Sequence, residues 1–265
     1  MQTRIPEPIN CIDIHNHVSA GKEGHLDRPR AEALLEGAAR LGIQRLCVSL
    51  PLTAEQPTPE EVRRANDVVL EAMAANERFI GFCFVNPGYA REAVAEIERC
   101  VVCGGMRGIK MYHQYLVCDP AQTTVMERAA ELGVPVLMHA GKVMDTVTRR
   151  LQPRLSHAEH FVRAAALFPR TTLIQGHIGG GGDWEWNLRH LERRPGVYLD
   201  ISGSVVDAGI VARTVAALGV EHVLFATDGA LEEGVGKTLA AGLSDEDLFH
   251  VCQGNAERLL GLGRN

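Results

Sequence analysis

The chain has 265 residues, a formal charge of −6, 46% hydrophobic and 23% charged residues, a balance that suits a globular protein able to bury one large core. The acidic excess argues against a general nucleic-acid binder, which needs a basic patch, and no apolar run approaches the roughly twenty residues of a membrane span. The opening stretch MQTRIPEPINCIDIH lacks the apolar core and cleavage site of a secretory leader, so a cytoplasmic location is expected; seven scattered cysteines fit reduced thiols better than a disulfide framework.

The first strand is read as INCIDIHNHV (9–18), an apolar run that carries Asp13, His15 and His17 on alternate residues. Residues i and i+2 of a strand share a side, so these three project together, with Asp13 one layer deeper as a support. PRAEALLEGAARLG follows with helical spacing, then the strand RLCVSLP (45–51), the helix PEEVRRANDVVLEAMAAN and the strand FIGFCFVN (79–86). Cys100 and Cys103 form a lone CxxC late in the next helical stretch. A zinc knuckle would need a second pair, so packing thiols are expected. The fourth strand, MRGIKMY (106–112), bears Lys110 and Tyr112, and PAQTTVMERAAELG leads to VPVLMHAG (134–141) with His139. TTLIQGHIGG (171–180) carries His177, GVYLDISG (196–203) carries Asp200 and Ser202, and HVLFATDGA (222–230) carries Asp228. Pro29, Pro59 and Pro120 sit at first turns, and Gly42 and Gly133 sit where helices should stop.

Eight strand–helix units with short returns and longer outgoing links predict a single-domain (β/α)8 barrel spanning residues 1–265. A doubly wound open sheet is the alternative, but it leaves two edge strands and usually runs to fewer units. In a barrel the working face lies at the C-terminal ends of the strands, where the histidines, Lys110, Tyr112 and Asp228 fall. A lone HxH is weak evidence; His139, His177 and Asp228 at later strand ends turn it into half of a candidate metal site. Imidazole with carboxylate suits zinc first, and also manganese, iron or nickel.

Other polar groups carry weaker signals. Lys142, Arg149, Arg150 and Arg154 crowd the link after the fifth strand; each alone reads as solvated, but together they favour an anionic substrate, with Arg149 the candidate clamp. In GHIGGGGDWEWN, Asp183 suits a helix N-cap, the glycines permit close backbone approach, and Trp184 and Trp186 read as packing residues. Asp200 and Ser202 are either barrel-layer residues or substrate contacts. His113, His157 and His160 read as non-catalytic, and Tyr112 as a substrate hydrogen-bond donor.

In order, IDIHNHV, GIKMY, VLMHAG, IQGHIGG and FATDGA resemble the amidohydrolase superfamily, in its amidohydrolase-2 branch of metal-dependent hydrolases and decarboxylases, from about Ile9 to the closing GNAERLLGL. The resemblance implies His15, His17, His139 and Asp228 as metal ligands. It gives Asp228 a second role as the base for an attacking water, and makes His177 a second-metal ligand or an acid/base. Lys110 matches a position that is carbamylated where two ions are bridged; one ion is favoured, two if Lys110 is modified. The expected activity is metal-dependent hydrolysis of a small, anionic amide, lactone or ester, with decarboxylation of a small carboxylic acid as the alternative. A small-molecule substrate is the only partner expected, with no nucleic acid or membrane; self-association stays open.

Overall fold

In the computed structural model, which describes residues 10–263 apart from Gly179, Gly181 and Glu192, eight parallel strands follow one another around a nearly closed barrel in chain order. They are β1 (Cys11–His17), β2 (Ile43–Ser49), β3 (Phe79–Phe84), β4 (Gly108–Met111), β5 (Val136–Met138), β6 (Leu173–Gln175), β7 (Val197–Asp200) and β8 (Val223–Leu224). Ile9, read as the start of the first strand, and two glycines of the loop after β6 lie outside the described residues. No described helix is long and apolar enough to cross a membrane.

Two apolar layers hold the barrel. Ile12, Ile14, Phe82, Ile174 and Leu224 pack together inside it, while Cys11, Leu46, Ile109, Leu199 and, just past β8, Phe225 join the layer beneath the surrounding helices. The wall helices start as their sequences require. Asp27 caps Arg28–Arg40 by accepting from Arg30 N, and Thr58 with Glu61 forms a complete capping box before Pro59–Ala75. Pro120 opens a single 3-10 turn ahead of Thr123–Leu132. Gly133 then ends that helix at φ 66°, a left-handed position that glycine enters without steric cost.

The last strands are shorter than their apolar runs suggest. The ladder stops at Met138, Gln175 and Leu224, so His139, His177 and Asp228 lie on the turns just beyond. His177 and Asp228 adopt φ 63° and φ 50°, and they are the non-glycine residues with positive φ among those described. Such turns are strained for side-chain-bearing residues and persist only where their surroundings fix them.

The seam between β1 and β8 has no regular ladder. Ile14 N donates to Phe225 O at 3.0 Å, and Asp228 N to His15 O at 2.8 Å. Asp13 completes the junction, and its placement corrects the expectation that it shares a side with His15 and His17. A register shift between Asp13 and Asn16 against β2 marks a bulge. Ile12 and Ile14 face inward, so Asp13 between them faces outward, and the extra residue lets His15 follow Ile14 inward. From outside, Asp13 accepts from His15 N (3.0 Å), Asn16 Nδ2 (2.9 Å) and Thr227 N (3.1 Å). Burial pushes its carboxyl up to about 7, against the pull of these hydrogen bonds. Cys103, expected to pack, is exposed, whereas Cys100 is buried.

Candidate metal centre

His15 comes from β1 and is turned inward by the bulge. Its Nδ1–H donates to Asp200 Oδ2 at 2.8 Å, which fixes the tautomer and leaves the Nε2 lone pair facing the barrel mouth. Asp228 Oδ1 lies 3.7 Å from that nitrogen and 3.0 Å from His17 Nε2. These three donors all lie within 4.8 Å of one another. Two imidazole nitrogens and a carboxylate oxygen, gathered so closely at a half-buried mouth, suit a divalent ion. His17 is oriented from behind, with Nδ1 3.2 Å from both the Ser49 carbonyl and hydroxyl.

Lys110 stands at the centre of the barrel, fully buried, with its amine against His15 Nε2. Burial lowers its pKa to about 8, against the pull of Asp228 and Asp200. The lysine therefore loses its proton far more readily than a surface one. Burial also pushes the Asp228 carboxyl up, but the His17 contact and the surrounding imidazoles outweigh it and hold the group ionised.

Asp200 organises the inner half of the site. Besides His15, it accepts from His177 N (2.9 Å), Ser202 N (3.0 Å) and Ser202 Oγ (2.6 Å). Burial pushes its carboxyl up, but the His15 imidazole first, then His177 and the Ser202 hydroxyl, outweigh it and hold it well below the usual range. One proton arrangement then satisfies the neighbouring groups. Ser202 gives its hydroxyl proton to Asp200, so its oxygen accepts from His177 Nδ1–H at 2.8 Å. His177 Nε2 in turn accepts from His139 Nδ1–H at 2.8 Å. His139 Nε2 is left as an acceptor 3.0 Å from the Gln152 carboxamide, whose NH2 is the end that suits it. Burial brings His177 down to about 4 and His139 well below its usual value, so both are neutral.

The residues singled out from sequence thus fall into two groups. His15, His17, Asp228 and Lys110 converge at the mouth. His139 sits beside that trio and is paired with His177 and Gln152; His177 Nδ1 is 3.7 Å from Asp228 Oδ2. Tyr112 leans on the His139 ring at 4.3 Å between centroids, and its hydroxyl has no partner among the described residues. The cationic loop after β5 contributes less than expected. Arg149 is exposed, with Nε bound to Val143 O, Arg154 pairs with Glu55 at 2.7 Å, and Lys142 lies over Trp186 at 3.7 Å. Trp184 is buried, and Asp183 caps its helix through Trp186 N as expected. Sequence reasoning left Asp200 and Ser202 undecided and did not see Gln152. The only available signal was the two-residue spacing of Asp200 and Ser202 at a strand end.

Loops after β5 and β6 are locked together beside this site. Val143 bridges Gly182 in antiparallel fashion, and a Cβ on Gly141 would fall 2.7 Å from Gly180 O. Only glycine allows so close an approach.

A family model described as amidohydrolase matches residues 12–262. No curated protein sequence matches the chain. Similar solved structures include a dihydroxybenzoic acid decarboxylase from Polaromonas with bound manganese and the inhibitor 2-nitroresorcinol. It is 19% identical with a TM-score of 0.73, covering 97% of this chain and 98% of that one. The 5-carboxyvanillate decarboxylase of Sphingomonas paucimobilis is also 19% identical, with a TM-score of 0.72 and coverage of 96% and 99%. The 4-oxalomesaconate hydratase of Rhodopseudomonas palustris is 16% identical, with a TM-score of 0.73 and coverage of 95% of each chain. At these identities the likeness establishes the barrel.

Proposed function

Because the chain belongs to the amidohydrolase family, we propose that it is a metal-dependent hydrolase acting on the carbonyl centre of a small amide, lactone or ester. The observation that carries this reading is the His15–His17–Asp228 trio, with Asp228 held ionised beside two imidazoles. A divalent ion held by this trio, with His139 beside it, would supply Lewis acidity that polarises a carbonyl and makes water a nucleophile near neutral pH. Zinc fits the donor set, and manganese fits it as well. The chain's own part is proton transfer and orientation. Asp228 takes the proton from the attacking water and returns it to the leaving group. Asp200 fixes the His15 tautomer, and His17, 3.0 Å from Asp228, steadies that carboxylate. Tyr112 offers its free hydroxyl to the substrate. Lys110, which sheds its proton more readily than a surface lysine, would stand beside one ion or, if carbamylated, would help to hold two.

Decarboxylation is the second reading, and the Polaromonas and Sphingomonas structures favour it. There Asp228, ionised at rest, would first take a proton from water and then deliver it to the carbon that loses carbon dioxide. The two separate in one experiment on manganese- or zinc-loaded protein. Lactones, esters and amides are assayed for acid release, and aromatic and aliphatic carboxylic acids for carbon dioxide release. Acid release supports hydrolysis; carbon dioxide release alone replaces it with the second reading. Activity on neither panel removes both.

A further inference from the structure

His17 and Asp228 of the trio open into a pocket of about 280 Å³, walled by the end of β1 and the helix Arg28–Arg40. This is well above the roughly 150 Å³ that admits benzene. His17 and Asp228 form one end, Val18, Ala31 and Leu34 give it an apolar wall, and Arg30 is its cation. Arg30 stands in the first turn of its helix, where its backbone N–H is taken by Asp27 Oδ1 at 3.2 Å. Its guanidinium has no hydrogen-bond or ion-pair partner among the described residues. Of the basic groups in the loop after β5, Arg154, Lys142 and Arg149 are engaged by Glu55, Trp186 and Val143 O.

We infer that Arg30 is the specificity-determining residue of this site and binds a carboxylate of the substrate remote from the reacting carbon. An arginine presents a planar fork that matches a carboxylate bidentately. An ion held by the trio would take one acid group at the His17–Asp228 end, so a second carboxylate on the same molecule reaches Arg30 at the other end. The apolar wall between the two ends accommodates a hydrocarbon body. The substrate class is therefore a small acid whose carboxylate is separated by an apolar body from the centre that reacts. This inference rests on the reading of the trio as the reaction centre and holds for either reaction.

The test is calorimetric titration of the manganese-loaded full-length chain with isophthalate and with benzoate, which differ by the second carboxylate. Wild-type protein should bind isophthalate roughly 10- to 100-fold more tightly, the usual worth of a charge-assisted hydrogen-bonded pair. Arg30→Ala should erase that preference while leaving benzoate affinity and manganese content unchanged, and Arg30→Lys should restore part of it. Equal binding of the two acids by the wild type, or a preference that survives in Arg30→Ala, overturns the assignment of Arg30 alone. Failure of the wild type to load manganese, measured beforehand on the same samples, overturns the reading of the site and this inference with it.

Discussion

Asp200 never faces the mouth, yet His15, His177 and Ser202 all depend on it. In Asp200→Asn an amide replaces a carboxylate that accepts from four donors, so the His15 tautomer is no longer dictated. Loss of such an orienting partner typically costs about 10- to 100-fold in metal affinity or activity, and manganese titration of the variant should show it. Asp228→Asn tests the proton-transfer role when its manganese content, measured beside turnover, matches that of the wild type. Asparagine tolerates the left-handed backbone at φ 50°, so the thermal melt should be unchanged while turnover is lost. Retained turnover would remove Asp228 from that role. The sequence could not reveal Arg30, because an arginine in a first helical turn looks like any solvated residue, whereas the four cations after β5 drew notice by their number.

At the level of elements, the order of strands and most helix boundaries were legible because local chemistry sets them. Prolines and capping residues mark the starts, and left-handed glycines mark the stops. The capping box at Thr58 is one such device, and Thr58→Ala should cost about 1 kcal/mol in urea unfolding. Strand ends were not legible, since MHAG, QGHI and ATDG continue an apolar run while the backbone leaves the ladder. Nor was the bulge in β1, where one extra residue turns Asp13 outward and leaves the composition of the strand unchanged.

A buried polar network joins the next elements. Asn66 Nδ2 binds Glu96 Oε1 at 2.9 Å, and Arg99 Nε binds Glu96 Oε2 at 2.9 Å. Burial pushes the Glu96 carboxyl up, but Arg99 and Asn66 outweigh it and lower it below 4.5. A carboxyl lowered in the folded state stabilises above its ordinary value, and that contribution is lost as pH falls through the lowered one. Wild-type protein should therefore exceed Glu96→Gln in stability at neutral pH and converge with it in acid; pH-dependent urea unfolding checks the convergence.

The whole barrel is closed by the seam between its first and last strands, with Asp13 gathering donors from both. Asp13→Ala strands the buried Thr227 N–H and the Asn16 amide, and should cost about 2–4 kcal/mol in denaturant unfolding. Because His15 N is another of those donors, manganese affinity should fall as well. The same seam also orders events in time. His15 and His17 are made well before Asp228, so a chain emerging from the ribosome carries two imidazoles long before their carboxylate exists. Ion capture by the trio would therefore belong to the end of folding, once β1 and β8 have met.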